Sequence, residues 1–297
     1  MSAAPETWQE RTAYLALATV AWLGRVLPTH TGRMLFGWLG AAASHLMPNV
    51  RRVVADNQAQ VLGRTTDDPL VQASTSRAFR RYARYWFDAF DVVDWTQEQI
   101  GPAFVFERYD HLEQALAMGK GVIAVLPHMG NWDVAGRALL GSGLDVVAVA
   151  EHLRPERLYQ LFVEHRQALG IDVVALSPEG KVGRQLADAL KRGSIVALLA
   201  DRDLTGRGVE VQMFGAPRRL PAGPALLALS TGAPIMGVAI YQTPTGWRCV
   251  LHEPFVVTST GSRRADAERT TQRIASMFER DIAVAPDDWH LFQPGWD

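Results

Sequence analysis

His128 and Asp133, in the segment Pro127-His128-Met129-Gly130-Asn131-Trp132-Asp133, are the residues whose types and spacing can do chemistry. An imidazole is the side chain best suited to take up a proton near neutral pH. A carboxylate holding its other ring nitrogen fixes which nitrogen acts as the base. With donors for an oxyanion, such a pair is nearly all that acyl transfer from a thioester to an alcohol requires. A histidine followed at this distance by an acid also arises by chance, so the elements around it have to decide.

Those elements alternate. GVIAVLP (Gly121 to Pro127), LDVVAVA (Leu144 to Ala150), IDVVAL (Ile171 to Leu176), SIVALLA (Ser194 to Ala200), PIMGVAI (Pro234 to Ile240) and WRCVLHEPF (Trp247 to Phe255) are short, apolar and rich in β-branched residues, as buried strands are. Pro155 to Leu169 and Gly183 to Lys191 have helical periodicity. Strands alternating with helices predict an α/β fold with a largely parallel central sheet covered by helices on both faces. In such sheets chemistry gathers where strand C-terminal ends meet the following turns. Gly130 and Asn131 suit a turn and a helix N-cap, which puts His128 on the strand-ending loop and Asp133 in the first helical turn. Asp201, Arg202 and Asp203 follow SIVALLA and should emerge at the same edge as His128. The run from Ala216 to Pro224, with Arg218 and Gly223, reads as a turn before a helix whose N-terminus can receive phosphate, or else only as a tight connection.

The first hundred residues differ in character. Thr12 to Gly24 and Met34 to Pro48 are uncharged, but each falls short of the roughly 20 apolar residues that a membrane-spanning helix needs. With Trp8, Trp22 and Trp38 they suit helices lying in a membrane interface, or else two buried helices of an ordinary domain. Arg51 and Arg52 follow at once, placed to meet anionic headgroups or simply to solvate a helix start. Ser76 to Trp95 carries Phe79, Tyr82, Tyr85, Trp86 and Phe90 at helical spacing, with Arg77, Arg80, Arg81 and Arg84 between them. It is an amphipathic helix whose aromatic stripe suits core packing or a phospholipid surface. One continuous chain organisation is expected: a helical, membrane-associating region over residues 1–100 and an α/β core over 101–297.

Bulk properties bound the function. The 297 residues are 48% hydrophobic, enough for a sizeable core, and 30 basic against 31 acidic residues give no argument for nucleic acid as a partner. Lys120, Lys181 and Lys191 are the only lysines, a preference for Arg that runs along the whole chain. The single cysteine, Cys249, excludes an internal disulfide and makes a reducing, cytosolic-side location the expectation; no secretory signal precedes the first apolar stretch. The Gly-x-Ser-x-Gly elbow of serine hydrolases and the Gly-x-Gly-x-x-Gly turn of dinucleotide enzymes are missing, and the scattered histidines do not form a metal site.

The H-x-x-x-x-D spacing directly after a buried strand resembles that of the glycerolipid acyltransferase family, within it the lauroyl/myristoyl lipid A branch. The resemblance spans nearly the whole chain: RRVVADN (Arg51 to Asn57), HMGNWD, ADRDL (Ala200 to Leu204), FGAPRRLPAGPALLALSTGAP (Phe214 to Pro234) and PDDWHLFQPGW (Pro286 to Trp296). The segment from Ala150 to Gly170, the ADRDLTGRGVEVQMFG run and the DDWH ending look most like the phosphatidylinositol mannoside acyltransferases of mycobacteria and related actinobacteria. That resemblance implies a palmitoyl-type acyl-CoA as donor, no cofactor, and a mannose hydroxyl on a phosphatidylinositol mannoside as acceptor, at an anionic membrane surface on the cytoplasmic face of the plasma membrane. It implies His128 as general base. It offers Asp201, or Asp203 if the alignment is offset, as a second acid supporting the histidine, so Asp133 and Asp201 both stand as the orienting group. It also implies Glu151 and Arg166 near the acceptor headgroup, with Arg202, Asp203, Arg218 and Gly223 on the substrate side. Two other readings remain open: an acyltransferase for another glycolipid, and a non-catalytic lipid-binding protein on the same fold.

Overall fold

A computed structural model describes residues 6–150, 154–176, 181–203 and 206–296. Four helices lead: α1 (Trp8–Val26), α2 (Thr29–Leu46), α3 (Pro48–Leu62) and α4 (Pro69–Asp91). A Thr7–Glu10 capping box starts α1, and Asp68, accepting from the Leu70 amide, caps α4 ahead of Pro69. α5 (Gln97–Ala103), β1 (Phe104–Glu107) and α6 (Tyr109–Ala117) follow, then the alternating core of β2 (Val122–Leu126), α7 (Trp132–Leu139), β3 (Val146–Ala150), α8 (Glu156–Ala168), β4 (Ile171–Ala175), α9 (Val182–Lys191) and β5 (Ile195–Leu199). The chain continues through β6 (Val209–Met213), β7 (Ala216–Leu220), α10 (Gly223–Thr231), β8 (Ile235–Gln242), β9 (Trp247–Leu251) and α11 (Arg263–Val284).

The seven-stranded sheet has the order β1-β9-β8-β2-β5-β3-β4. β8, β2, β5, β3 and β4 run parallel, while β9 and its parallel partner β1 run the opposite way. Helices cover both faces, and a separate core fills each side. One is built on Ile123, Val125, Val196 and α11; the other on Ala124, Leu126, Val134 and Trp247. All of β2 and all of β8 are buried, which is why their sequences are apolar but for Gln242 at the end of β8.

Three strands escape the sequence pattern. β1 is only four residues long. β6 and β7 form a two-stranded antiparallel hairpin, so Ala216–Leu220, read from sequence as a turn, is a strand. Its Pro217, Arg218 and Arg219 disguise it, as does its position off the main sheet. The strand read as Trp247 to Phe255 stops at Leu251, and Phe255 rejoins only through one bridge to Ile235.

The N-terminal helices meet α4 through small residues. Gly32, Phe36, Gly40 and Ser44 form the buried stripe of α2 at four-residue spacing. A Cβ on Gly32 would overlap the Phe87 ring, so this helix pair approaches too closely for any side chain there. Facing outward, Trp8, Trp22, Met34, Trp38 and Leu46 are each more than half exposed. No helix among the described residues is long and apolar enough to cross a membrane. Phe79, Tyr85 and Phe90 of α4 are buried, so the core side of that aromatic stripe is real. The arginines between them are mostly committed within the fold: Arg77 to Asp287, Arg81 to Asp287 and Asp288, and Arg84 to Asp88.

Candidate active site

β2 and β5 are adjacent, in register to Leu126 opposite Leu199, and the Ala200 amide donates to the Leu126 carbonyl. The loops after them therefore leave the sheet side by side, bringing His128 to Asp201 across 73 residues. Nδ1 of His128 lies 2.5 Å from Oδ1 of Asp201. The carboxylate is wholly buried and the imidazole mostly so. A carboxylate only accepts, so Nδ1 carries the proton and Nε2 the lone pair. The second oxygen of Asp201 accepts from the Trp289 indole N–H at 2.8 Å, and Arg218 donates to its backbone carbonyl at 2.6 Å. Burial alone would raise the Asp201 carboxyl, but His128, Arg218 and Trp289 outweigh it and hold it well below the usual carboxylate range.

Asp133 does not reach the imidazole. Asn131 caps α7 by accepting from the Val134 amide, which turns Asp133 toward α4 and α8. There Oδ2 accepts from the Tyr85 hydroxyl at 2.7 Å and Oδ1 from Arg166 Nε at 3.2 Å. Burial, and then the Asp133 charge, push the Tyr85 phenol well above its ordinary range, so it stays a donor. Asp133 thus fixes the first turn of α7 to two other helices, and Asp201 holds the histidine.

The His128 loop is closed from the far end of the chain. Residues 288–290 pair antiparallel with 128–130: the Gly130 amide donates to Asp288, the His290 amide to His128, and Met129 bridges Trp289. Gly130 has φ of 63°, and a Cβ there would strike the Ile240 carbonyl, so only glycine fits. The buried His290 ring donates from Nε2 to the Gly130 carbonyl; burial pushes its pKa down to about 3, so it stays neutral. Asp288 in turn receives Arg81 and the Gln242 amide. Trp289, His290 and Asp288 belong to the DDWH ending. Sequence reasoning marked that run for its resemblance alone and gave it no structural role.

An apolar cavity of about 820 Å³, its mouth included, lies between the sheet and α7, lined by Leu126, Trp132, Ala148, Ala197, Leu199 and Val238 among others. Asp133 and Arg166 supply its polar lining, and Trp132 packs edge-on against His128, ring centroids 5.4 Å apart. Arg202, Asp203 and Arg218 gather instead in a second cavity beside Asp201, whereas Gly223 sits exposed at the start of α10 and lines neither. Glu151 lies outside the described residues. Among the described residues, no three His, Cys, Asp or Glu side chains converge to hold a metal ion.

Next to Arg166, His165 packs against Phe90 with both ring nitrogens buried and unpartnered. Burial pushes its pKa down to about 4, against an opposing pull from Asp133. The unfolded chain takes up this proton near pH 6.5 and the folded chain only near pH 4, so the stability tied to the neutral ring is full above pH 6.5 and drains away between those values. Relative to the native protein, His165→Leu is expected to gain roughly 2–3 kcal/mol as pH falls from 7 to 4. Urea unfolding of both proteins at several pH values checks this; parallel pH profiles would refute it.

A histidine held by a buried carboxylate thus sits at a parallel-sheet edge beside an apolar cavity. The chain belongs to the bacterial lipid A biosynthesis acyltransferase family, whose model matches residues 4–297. It is similar to the phosphatidylinositol mannoside acyltransferase of Mycobacterium tuberculosis, with 37% identity over 98% of this chain and 91% of that protein. The protein of the same name from Mycolicibacterium smegmatis is 39% identical over 84% of this chain and 78% of its own length.

Proposed function

We propose that this enzyme moves a palmitoyl-type acyl group from acyl-CoA to a mannose hydroxyl of a phosphatidylinositol mannoside, with His128 as general base. The observation that carries the reading is the His128–Asp201 pair, which leaves Nε2 as the only basic nitrogen of the ring. In this mechanism Nε2 takes the proton of the acceptor hydroxyl while its oxygen attacks the thioester carbonyl. Collapse of the tetrahedral adduct breaks the C–S bond, and the imidazolium returns the proton to the departing thiolate. Asp201 stays ionised and stabilises the imidazolium throughout. The apolar cavity under α7 suits the acyl chain, and the names of the relatives favour the mannoside acceptor.

Thiol release from palmitoyl-CoA, measured with and without purified phosphatidylinositol mannoside, tests the proposal. Acceptor-dependent release with the acylated glycolipid as product is expected. Saturable lipid binding without thiol release would replace it with a lipid-binding role, and release dependent on a different glycolipid would move the acceptor.

The same reading places the enzyme on the cytoplasmic face of the plasma membrane, resting on the exposed apolar face of α1 and α2. Removing these helices outright would strip the α4 core, since α2 packs on it through Gly32 and Gly40. Point changes are the cleaner test. Trp22→Glu with Trp38→Glu, both at exposed positions, is expected to lower co-sedimentation with anionic vesicles roughly tenfold at unchanged melting temperature. Unaltered co-sedimentation would count against this face.

A further inference from the structure

The second cavity at the sheet edge, about 870 Å³ with its mouth, lies between the β6–β7 hairpin and residues 293–296. It carries Arg202, Arg218 and Arg219 against Asp203 and Glu210. The two acids are engaged already: Asp203 accepts from the Gly208 amide, and Glu210 pairs with Arg219 at 3.8 Å. Arg202 and Arg218 are different. Arg202 Nη2 donates to the amide oxygen of Gln293 at 2.6 Å, and its Nε is buried without a partner. Arg218 is only 7% exposed, held between Trp289 and Trp296 with its guanidinium carbon 5.0 Å from each ring centroid. Its Nη2 serves the Asp201 carbonyl, and its Nη1 is buried and unpartnered. Among the described residues neither arginine has a carboxylate within ion-pair reach.

Two adjacent cations with buried, unmatched N–H groups are costly, the more so because the groups are charged. Burial pulls the Arg218 guanidinium below its ordinary value, and Arg202 pulls the same way against Asp201. An anion from outside the chain relieves both the repulsion and the unmatched donors. Guanidinium forks suit tetrahedral oxyanions, and both substrates of the proposed reaction carry phosphate esters and no carboxylate. We propose that this pocket, through Arg202 and Arg218, binds a phosphate-ester group of one of the two substrates. The inference rests on the acyltransfer reading for its choice of anion. Because Arg218 also holds the backbone of Asp201, an occupied pocket steadies the carboxylate behind His128.

The two sources are coenzyme A and the inositol phosphodiester. The full chain is titrated, following tryptophan fluorescence and heat, with coenzyme A and with glycerophosphoinositol, each beside its phosphate-free counterpart, pantetheine or inositol. One phosphate-bearing probe is expected to bind saturably and to be displaced by pyrophosphate, and the probe that does so identifies the source. Arg202→Gln is expected to weaken that probe roughly tenfold or more while leaving the phosphate-free compound unaffected, with Arg202→Lys intermediate. Binding indifferent to Arg202→Gln overturns the proposal, as does failure of pyrophosphate to compete in the native protein, a measurement that needs no variant to fold. Thiol release is read in parallel. Its absence in the native protein rejects the acyltransfer reading whatever binds, whereas intact release with phosphate binding blind to Arg202 rejects the pocket alone.

Discussion

Asparagine at position 128 is expected to lower acyl transfer by about 10²–10⁴-fold, the usual contribution of a positioned general base, with little change in melting temperature. The choice of asparagine follows from the geometry. Its side-chain amide nitrogen falls near the position of imidazole Nδ1 and keeps the donation to Asp201, while nothing replaces Nε2. His128→Ala removes the same base but leaves the buried Asp201 short of a donor, so its loss of activity would be mixed with a loss of stability of roughly 1–3 kcal/mol. Near-native turnover in the asparagine variant, measured as thiol release, would remove His128 from the mechanism.

The second large effect is expected at Asp201, where Asn should cost about as much as losing the base. The Trp289 indole can only donate, so the carbonyl oxygen of an asparagine at 201 must face it. The amide nitrogen then faces His128 and donates to Nδ1, driving the imidazole proton to Nε2 and leaving no lone pair toward the acceptor. A fall of about 10³–10⁴-fold follows if this tautomer trap operates as in other histidine–carboxylate pairs. Trp289→Phe removes the indole donor and lets that amide turn over. The double variant Asp201→Asn with Trp289→Phe should therefore recover part of the activity that Asp201→Asn loses, a coupling measured by a double-mutant cycle. Simple additivity of the two losses would mean that Trp289 does not dictate the orientation of residue 201.

The parallel sheet is legible because β2, β3 and β5 are buried or half-buried along their whole length and so carry unbroken apolar runs rich in β-branched residues. Once these strands are recognised, His128 and the Asp201 region follow to one edge, since both begin the loops after them. The partner of His128 is not legible. Asp133 is closer in sequence, yet the cap at Asn131 fixes the rotation of α7, and Tyr85 and Arg166 claim the carboxylate from two other helices. No local pattern records such a tertiary competition. Arg77 and Arg81 of α4 mislead in the same way: their carboxylate partners at 287 and 288 are about two hundred residues away, so in sequence they look like part of a free basic face. The β6–β7 hairpin hides because a proline and two arginines break the apolar alternation, although those arginines are what give the second cavity its charge.

Residues 288–290 supply the strand partner of the His128 loop and the indole that grips Asp201, about 160 positions after that loop is made. The loop that carries His128 is therefore braced by residues made long after it. A nascent chain extended through β9 holds all seven strands of the sheet and both members of the histidine–carboxylate pair, but it lacks the lock that orients them. A protease cut after Ala285 would return the protein to that state. Such a cut would separate the His128–Asp201 pair from the residues that brace it while leaving all seven strands of the sheet on one piece.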